Sequence, residues 1–362
     1  MTQLGDAHNF GRHVVLRGRR IHKPRPLLWE WLVLSRASPL RKLLGAGFDF
    51  LPALRFYERD EVETLRLAPI RSRSARTRRE VASITGRSLA LWSWLGVSDL
   101  HWENLVLGVD ARARIVFGPL DVEMILADLA LPTYTKLIAD ADPEYAEMCR
   151  HAAGVRRVLP ILGKPIAAPE LLATVGAYRD ALEFLDRHAG EIAATFLSLP
   201  ALRTTPIRVL LRATADYVRA RTEPVWPPLL DAESVQLARG DIPYFFRLYG
   251  ERGIHFYEDA RLEKRGRLPL RGDVPKLEPL LDLERGLRSP SRKKLREQGL
   301  FAVIGAFDHP SLDGRHEDGG LAIDLRKRTV VVERAGETLE APRDLSRVVG
   351  SAYLPCSCGE IQ

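Results

Sequence analysis

The segment best suited to chemistry is Ser98-Asp99-Leu100-His101-Trp102-Glu103-Asn104, followed by Leu120-Asp121-Val122-Glu123. Phosphoryl transfer needs a carboxylate that orients or deprotonates the attacking hydroxyl, and it needs oxygen ligands for Mg²⁺, typically an Asn amide and an Asp carboxylate. An Asp with an Asn shortly after it, and a second Asp returned to the same end by a hairpin, meets both needs. By itself, such a spacing is more often found where Asp99 and His101 only cap and brace a loop beside a buried Trp. The predicted hairpin and the later Asp-x-Glu favour the catalytic interpretation.

A second candidate lies at the start of the chain, where Gly5-Asp6-Ala7-His8-Asn9-Phe10-Gly11 leads into a strand pair that ends in His22-Lys23-Pro24-Arg25. A turn with glycines lets backbone N–H groups approach phosphates, and a lysine on the following strand can neutralise them. Two glycines six residues apart are weakly specific. The order of turn, lysine, helices, catalytic loop and metal-binding Asp is more informative, because it is the order of a bilobal kinase.

A third candidate is Arg208, with Arg212-Ala213-Thr214 and Tyr217 shortly after it. We predict that these residues share one helix, on which Arg208 and Thr214 lie only approximately on the same side. By itself this group carries no function, since an arginine on a helix is far more often solvated than catalytic.

Hairpins and helices are the elements that would position these residues. Strand-like alternation and turn residues predict three hairpins, in residues 13–23 with a turn at Arg17-Gly18-Arg19, in residues 104–117 with a turn at Gly108-Val109-Asp110, and in residues 321–333. Helical spacing of apolar residues predicts helices over residues 27–51 and 77–95, and a mainly helical region from Met124 to about Phe246. The fold class is therefore predicted to be α+β.

Composition excludes several classes of protein. Apolar stretches such as residues 27–34 and 89–97 are too short to span a bilayer, and residues 1–10 are too polar for a signal peptide, so no membrane association is expected. The three cysteines, Cys149, Cys356 and Cys358, cannot form a disulfide framework, which favours a cytoplasmic localisation. The net charge of +7 suits a polyphosphate or acidic peptide as well as a nucleic acid. No zinc-finger or RNP-like motif accompanies it, so no nucleic-acid partner is predicted.

Taken together, residues 5 to 310 resemble the dehydratase domain of class II lanthipeptide synthetases, the LanM type. The segments that carry the resemblance, in order, are Asp6-Ala7-His8 with Gly11-Arg12, Lys23-Pro24-Arg25, Asp99-Leu100-His101-Trp102-Glu103-Asn104 with Asp121-Val122-Glu123, Arg208 with Arg212-Ala213-Thr214-Ala215-Asp216-Tyr217, and Gly240-Asp241-Ile242-Pro243-Tyr244-Phe245. The resemblance implies a bilobal lipid-kinase-like fold. A small β-containing N-lobe would span residues 1–85, a mainly helical catalytic C-lobe residues 86–310, and a hairpin with a tail residues 311–362.

The resemblance also implies ATP and Mg²⁺ as cofactors and a role for each site residue. Lys23 would contact the ATP phosphates, Asp99 would orient or deprotonate the peptide hydroxyl, and His101 would support that loop. Asn104 and Asp121 would hold Mg²⁺ and bind the cofactor, assisted by Glu123. The positions that match those used mainly in phosphate elimination are Asp6, His8, Arg208 and Thr214.

The expected function is ATP-dependent dehydration of Ser or Thr in a ribosomally made precursor peptide, by phosphorylation and then elimination of phosphate. Two alternatives stay open: a kinase that stops at the phosphorylated product, and an inactive kinase-like partner of a larger synthetase. Residues after 310 offer none of the zinc ligands of the family's cyclase domain, and the sequence begins almost at the first motif, before which the family has a helical region. The resemblance therefore allows a further partner, namely a separate protein that binds the leader peptide or carries out the cyclisation.

Overall fold

The N-terminal part of the chain is built on a four-stranded antiparallel sheet. A computed structural model describes residues 2–57, 60–139, 153–269 and 277–343, and within them all strand pairs are antiparallel. The first sheet has the order β1 (Thr2–His8), β2 (Arg12–Arg17), β3 (Arg20–His22) and β4 (Glu61–Glu63). The first predicted hairpin is confirmed as β2 and β3, whose terminal residues Arg17 and Arg20 pair across the turn. The glycine-bearing segment before it forms strand β1 and the turn at residues 9–11.

Two short helices follow this sheet where one longer helix was predicted. Helix α1 (Leu28–Leu34) ends at Ser35, and helix α2 (Pro39–Leu44) begins after Ser38. The hydroxyl of Ser38 accepts a hydrogen bond from the backbone N–H of Arg41, which caps α2 and stops the two helices from joining. A 3-10 turn, Ala46–Phe48, completes the region.

The centre of the core is the contact between helices α3 (Ala75–Trp94) and α5 (Ala168–Arg187); a short helix α4 (Leu159–Leu162) precedes α5. Helix α3 confirms the helix predicted over residues 77–95, and it runs across the predicted domain boundary between residues 85 and 86. Gly86 allows the close approach, because a Cβ atom there would lie 2.0 Å from the carbonyl oxygen of Thr174. The buried Trp92 and Trp94 fill the space around the contact.

The second predicted hairpin is confirmed, but its turn lies further along the chain. Strands β5 (Leu105–Val109) and β6 (Ile115–Pro119) pair from Leu105 opposite Pro119 to Val109 opposite Ile115. The predicted turn residues Gly108 and Val109 belong to β5 instead. The turn is made after them because the Asp110 carboxylate accepts hydrogen bonds from the backbone N–H groups of Arg112 and Arg114.

The region that was predicted to be mainly helical contributes two strands to a second four-stranded sheet. Its order is β10 (Arg265–Leu268), β9 (Ile254–Tyr257), β8 (Phe245–Arg247) and β7 (Ile207–Val209). The helices of this region beyond α5 are α6 (Ala189–Leu197), α7 (Thr214–Arg219) and α8 (Asp231–Ala238). The prediction of helix up to Phe246 is therefore wrong at residues 207–209 and 245–246, where Arg208 pairs with Phe246 across the sheet.

The last described part of the chain consists of helix α9 (Pro290–Phe307) and a third sheet. This sheet has the order β11 (Gly314–Asp318), β12 (Leu321–Leu325), β13 (Thr329–Arg334) and β14 (Glu337–Pro342), which confirms the third predicted hairpin as β12 and β13. Ile323 and Val332 are buried in the same core as α3 and α5. Cys149, Cys356 and Cys358 lie outside the described residues. No helix in the described ranges has the length and apolar character needed to cross a membrane.

Candidate functional site

A cavity of about 580 Å³ lies between the first sheet, the β5–β6 hairpin, strand β7 and helix α7. Nine of the ten site residues predicted from the sequence line it: Asp6, His8, Asp99, His101, Asn104, Asp121, Glu123, Arg208 and Thr214. The tenth, Lys23, is buried beside the cavity and donates a hydrogen bond from Nζ to Oδ2 of Asp121 at 2.9 Å. Residues from distant parts of the sequence therefore meet at one place.

Lys23 links the first sheet to the β5–β6 hairpin and to helix α1. It follows directly after β3, and its ammonium group lies 3.4 Å from Oε1 of Glu30 and 3.1 Å from the carbonyl oxygen of Leu120, in addition to its contact with Asp121. Glu30 is 1% exposed. In protein kinases, a lysine that pairs with a helix glutamate binds ATP phosphates, and a separate aspartate binds Mg²⁺.

Arg25 contacts three carboxylates at once. Its Nη2 donates to Oδ1 of Asp121 at 2.6 Å, and its Nε lies 2.9 Å from Oε2 of Glu123. Both Nη atoms also contact the carboxylate of Glu30, with Nη1 at 3.2 Å from Oε2. The fork of the guanidinium therefore ties α1 to the residues that follow β6.

The ion pairs that join the first sheet, α1, β7 and the residues after β6 balance in charge. Lys23, Arg25 and Arg208 supply three positive charges against the three negative charges of Glu30, Asp121 and Glu123. Burial would raise the pKa of Asp121, but the charges of Arg25 and Lys23 outweigh it and hold this pKa well below its ordinary value. Burial would lower the pKa of Arg25, and the surrounding carboxylates raise it instead. Asp121 and Arg25 therefore stay ionised over the whole physiological range of pH.

Asp99 occupies a strained position at the cavity wall. Its φ of 66° lies in the left-handed region, which Asp and Asn tolerate better than other residues with a Cβ atom. The side-chain amide of Asn104 donates to the backbone carbonyl oxygen of Asp99 at 2.9 Å and to its Oδ2 at 3.2 Å. Lys136 lies 3.4 Å from Oδ1. These contacts fix the direction of the Asp99 carboxylate, and His101 begins the 3-10 turn (Trp102–Asn104) that delivers Asn104.

The helix predicted for Arg208 is not formed, because this residue lies at the centre of strand β7. Its backbone N–H donates to the carbonyl oxygen of Glu123 at 2.9 Å, and its guanidinium Nη1 contacts the Glu123 carboxylate. Within the described ranges, Nε of Arg208 is buried and has no hydrogen-bond partner. Burial opposes the charged form, but Glu123 outweighs it and raises the pKa of Arg208. Thr214 is the first residue of α7 and also lines the cavity.

Arg212, by contrast, supports the fold. Its guanidinium donates to Glu233 at 2.9 Å and to the carbonyl oxygens of Pro227 and Pro228 at 2.5 and 2.6 Å. The hydroxyl of the buried Tyr217 donates to the same Glu233 oxygen at 2.7 Å. These contacts hold α7 against α8 and leave Arg208 as the arginine of this motif that lines the cavity.

His8 and Asp6 project from β1, and the turn after them is fixed from far along the chain. The buried Asp241 accepts hydrogen bonds from the backbone N–H groups of Phe10 and Gly11, both at 2.8 Å. Nδ1 of His8 lies 2.8 Å from the carbonyl oxygen of Ile242, a contact that requires the proton on Nδ1 and leaves a lone pair on Nε2. Burial, and after it the charge of Arg208, lowers the pKa of His8. Neutral His8 is therefore a candidate base.

The donor set fits a magnesium ion that is bound together with phosphate. No group of three His, Cys, Asp or Glu side chains in the described ranges is arranged to hold a metal ion. Mg²⁺, however, is usually held by one or two carboxylates together with substrate phosphates. The carbonyl oxygen of Asn104 accepts a hydrogen bond from the backbone N–H of Leu120 at 3.3 Å. Asn104 therefore lies opposite Leu120, the residue before Asp121. Asn104, Asp121 and Glu123 could thus supply oxygen ligands at one end of the hairpin.

Two residues of the site were missing from the prediction as functional residues. Arg25 was part of a matched segment but had no role assigned to it, and Glu30 was not considered. The position of Glu30 in the sequence could have indicated it, since this glutamate lies alone in the apolar run Leu27-Leu28-Trp29-Glu30-Trp31-Leu32. A single acidic residue on the buried side of an apolar helix needs a cationic partner.

The structure defines a mixed α/β protein with small antiparallel sheets and a cavity lined by paired charges. No model of a known protein family and no curated protein matches the chain.

Proposed function

We propose that this protein is a kinase-like dehydratase with a bilobal, lipid-kinase-like arrangement, which phosphorylates Ser or Thr in a peptide and then eliminates the phosphate. The observation that carries this proposal is the position of Lys23 between Glu30 and Asp121, at 3.4 and 2.9 Å, beside a cavity that also contains Asp99 and Asn104. Structural ion pairs are common, but this combination adds a fixed, partly exposed carboxylate that faces the same space.

In the phosphorylation step, ATP and the peptide hydroxyl would meet in the cavity. Lys23 would bind phosphate oxygens, and the Asp99 carboxylate would orient the hydroxyl and accept its proton as the new P–O bond forms and ADP leaves. Asn104 and Asp121 would hold Mg²⁺, assisted by Glu123, and the ion would neutralise charge on the phosphates. Asp99 suits the role of base because Asn104 and Lys136 fix its direction.

In the elimination step, a base removes the α proton of the phosphorylated residue, a C=C bond forms, and the Cβ–O bond breaks with loss of phosphate. His8 could accept the proton on Nε2, since its Nδ1–H is engaged by the carbonyl oxygen of Ile242. Asp6 and Thr214 line the same wall. Arg208 would stabilise the departing phosphate through its fork, because its buried Nε has no partner among the described residues.

Product mass tests this proposal directly. A Ser/Thr-rich precursor peptide encoded beside the gene of this protein is incubated with ATP, Mg²⁺ and the unchanged protein, Arg208→Ala or Asp99→Asn. We expect loss of one water per modified site with the unchanged protein, phosphopeptide with Arg208→Ala, and no change with Asp99→Asn. Circular dichroism of each variant shows that the fold is retained.

The two other interpretations give different masses. If the unchanged protein only adds phosphate, the protein is a kinase and the elimination step is refuted. If no mass changes and ATP does not bind by calorimetry, the enzymatic proposal is refuted as a whole, and tight binding to a larger synthetase would then identify an inactive kinase-like partner.

A further inference from the structure

Arg25 occupies the carboxylates that the proposed function assigns to a metal ion. Its Nη2 is 2.6 Å from Oδ1 of Asp121, and its Nε is 2.9 Å from Oε2 of Glu123. The second oxygen of Asp121 accepts from Lys23 at 2.9 Å, and the second oxygen of Glu123 contacts Arg208. Both oxygens of both carboxylates are therefore paired with cationic side chains.

A divalent cation can reach Asp121 only by competing with these side chains. The Asp121 side chain is 37% exposed, so solvent and ions have access to it. Arg25 can leave it without leaving the cavity, because both of its Nη atoms also contact Glu30, which is 1% exposed and anchors the guanidinium. Glu30 therefore keeps Arg25 close to the place where phosphates would bind.

We infer that Arg25 is the internal counter-ion of the cavity, which competes with a divalent cation for Asp121 and Glu123 and gives way when a triphosphate binds. The inference rests on the proposed function, since it takes these two carboxylates as metal ligands. The phosphate oxygens of a triphosphate can accept two parallel hydrogen bonds from the released Arg25 guanidinium, and these replace its contacts with Asp121 and Glu123. Free metal ions are bound weakly, and metal and nucleotide strengthen the binding of each other.

The test measures metal affinity without any reaction. Mn²⁺ replaces Mg²⁺ as the probe, and the fall of the free-Mn²⁺ electron paramagnetic resonance signal gives its affinity, with and without the non-hydrolysable analogue AMP-PNP. In Arg25→Met we expect the affinity for Mn²⁺ alone to rise at least about tenfold, which corresponds to about 1.4 kcal/mol. The strengthening by AMP-PNP should shrink by a similar factor.

Arg12→Met is the matched control. Arg12 lines the same cavity, but its guanidinium donates to the carbonyl oxygen of Ala260 at 2.7 Å. The control removes one positive charge and leaves the contacts of Asp121 and Glu123 intact, so its Mn²⁺ affinity should stay within about threefold of the unchanged protein. Arg25→Lys keeps the charge without the fork and should lie between the two, which also covers the case that Arg25→Met does not fold.

Each outcome decides one question. Equal Mn²⁺ affinity in the Arg25 variants and the unchanged protein overturns the inference, and so does an equal rise in Arg12→Met, which would show only a general effect of charge. Failure of AMP-PNP to bind with any metal refutes the proposed function. The nucleotide-free arm of the experiment still decides whether Arg25 competes with a cation.

Discussion

Replacement of Glu30 by Gln tests whether this residue holds the charged groups of the cavity together. Its carboxylate is 1% exposed, contacts both Nη atoms of Arg25 and lies 3.4 Å from Nζ of Lys23. Gln has nearly the same shape, but it removes the negative charge. It also replaces one acceptor oxygen by an NH₂ group that faces a cation.

The expected loss of stability follows from what remains after this change. Breaking a buried ion pair by removal of one partner costs about 3–5 kcal/mol. Arg25 keeps Asp121 and Glu123, and Lys23 keeps Asp121 and the Leu120 carbonyl oxygen, so part of that cost is avoided. We expect Glu30→Gln to lower the free energy of unfolding by about 3 kcal/mol, at the lower end of that range. Urea unfolding followed by circular dichroism measures it.

Glu337→Gln provides the matched control for this experiment. Glu337 lies 2.5 Å from Arg179, and its side chain is 56% exposed, so its neutralisation should cost no more than about 1 kcal/mol. If Glu30→Gln costs no more than Glu337→Gln, Glu30 does not anchor Lys23 and Arg25, and the assignment of the Lys23–Glu30 pair to phosphate binding loses its structural basis.

Three further predictions concern packing, backbone strain and pH. Gly86→Ala should lower the free energy of unfolding in urea by at least about 2 kcal/mol, since its Cβ would lie 2.0 Å from the Thr174 carbonyl oxygen, whereas Gly190→Ala, with open space, should not lower it. Asp99→Ala should be about 1 kcal/mol less stable in the same assay than Asp99→Asn, because only Asn tolerates a φ of 66°; equal stability would contradict the strain. The pKa of His8 in the folded protein is lower than 6.5, so its contribution to stability is complete above that pH and is lost as the pH falls. An NMR titration of His8 with a midpoint at or above 6.5 would contradict this direction.

The parts of the site whose residues lie close together along the chain were predictable from the sequence. Asp99, Asn104 and Asp121 belong to one loop and one hairpin, so their spacing and the alternation of apolar residues suffice to place them together. The turn of that hairpin was misplaced because Asp110 makes it through its side chain, a contact that overrides the preference of Gly108 for turns.

The position of Arg208 was not predictable in the same way. Strand β7 has only three residues, and it exists because it pairs with Phe245–Arg247, which lies far along the chain. A window of neighbouring residues contains no information about such a pairing, and the surrounding residues favour a helix. Arg208 nevertheless lines the same cavity as Asp99, Asn104 and Asp121, and it reaches this cavity from a strand.

Glu123 connects the two proposed chemical steps. One carboxylate oxygen of Glu123 contacts Arg208, which is assigned to elimination. The other contacts Arg25, which also contacts Asp121 in the proposed phosphorylation site. The backbone of Glu123 is also held by the N–H of Arg208 at 2.9 Å. Removal of the Arg208 side chain leaves Arg25 as the cationic partner of the Glu123 carboxylate, so Glu123 and Arg25 are both held less firmly.

Arg208→Ala should therefore slow phosphorylation as well as stop elimination. Phosphopeptide should accumulate with this variant more slowly than the dehydrated product forms with the unchanged protein. If phosphorylation kept its full rate in this variant, Glu123 would not couple the two steps, and the charges around the cavity would act as independent pairs.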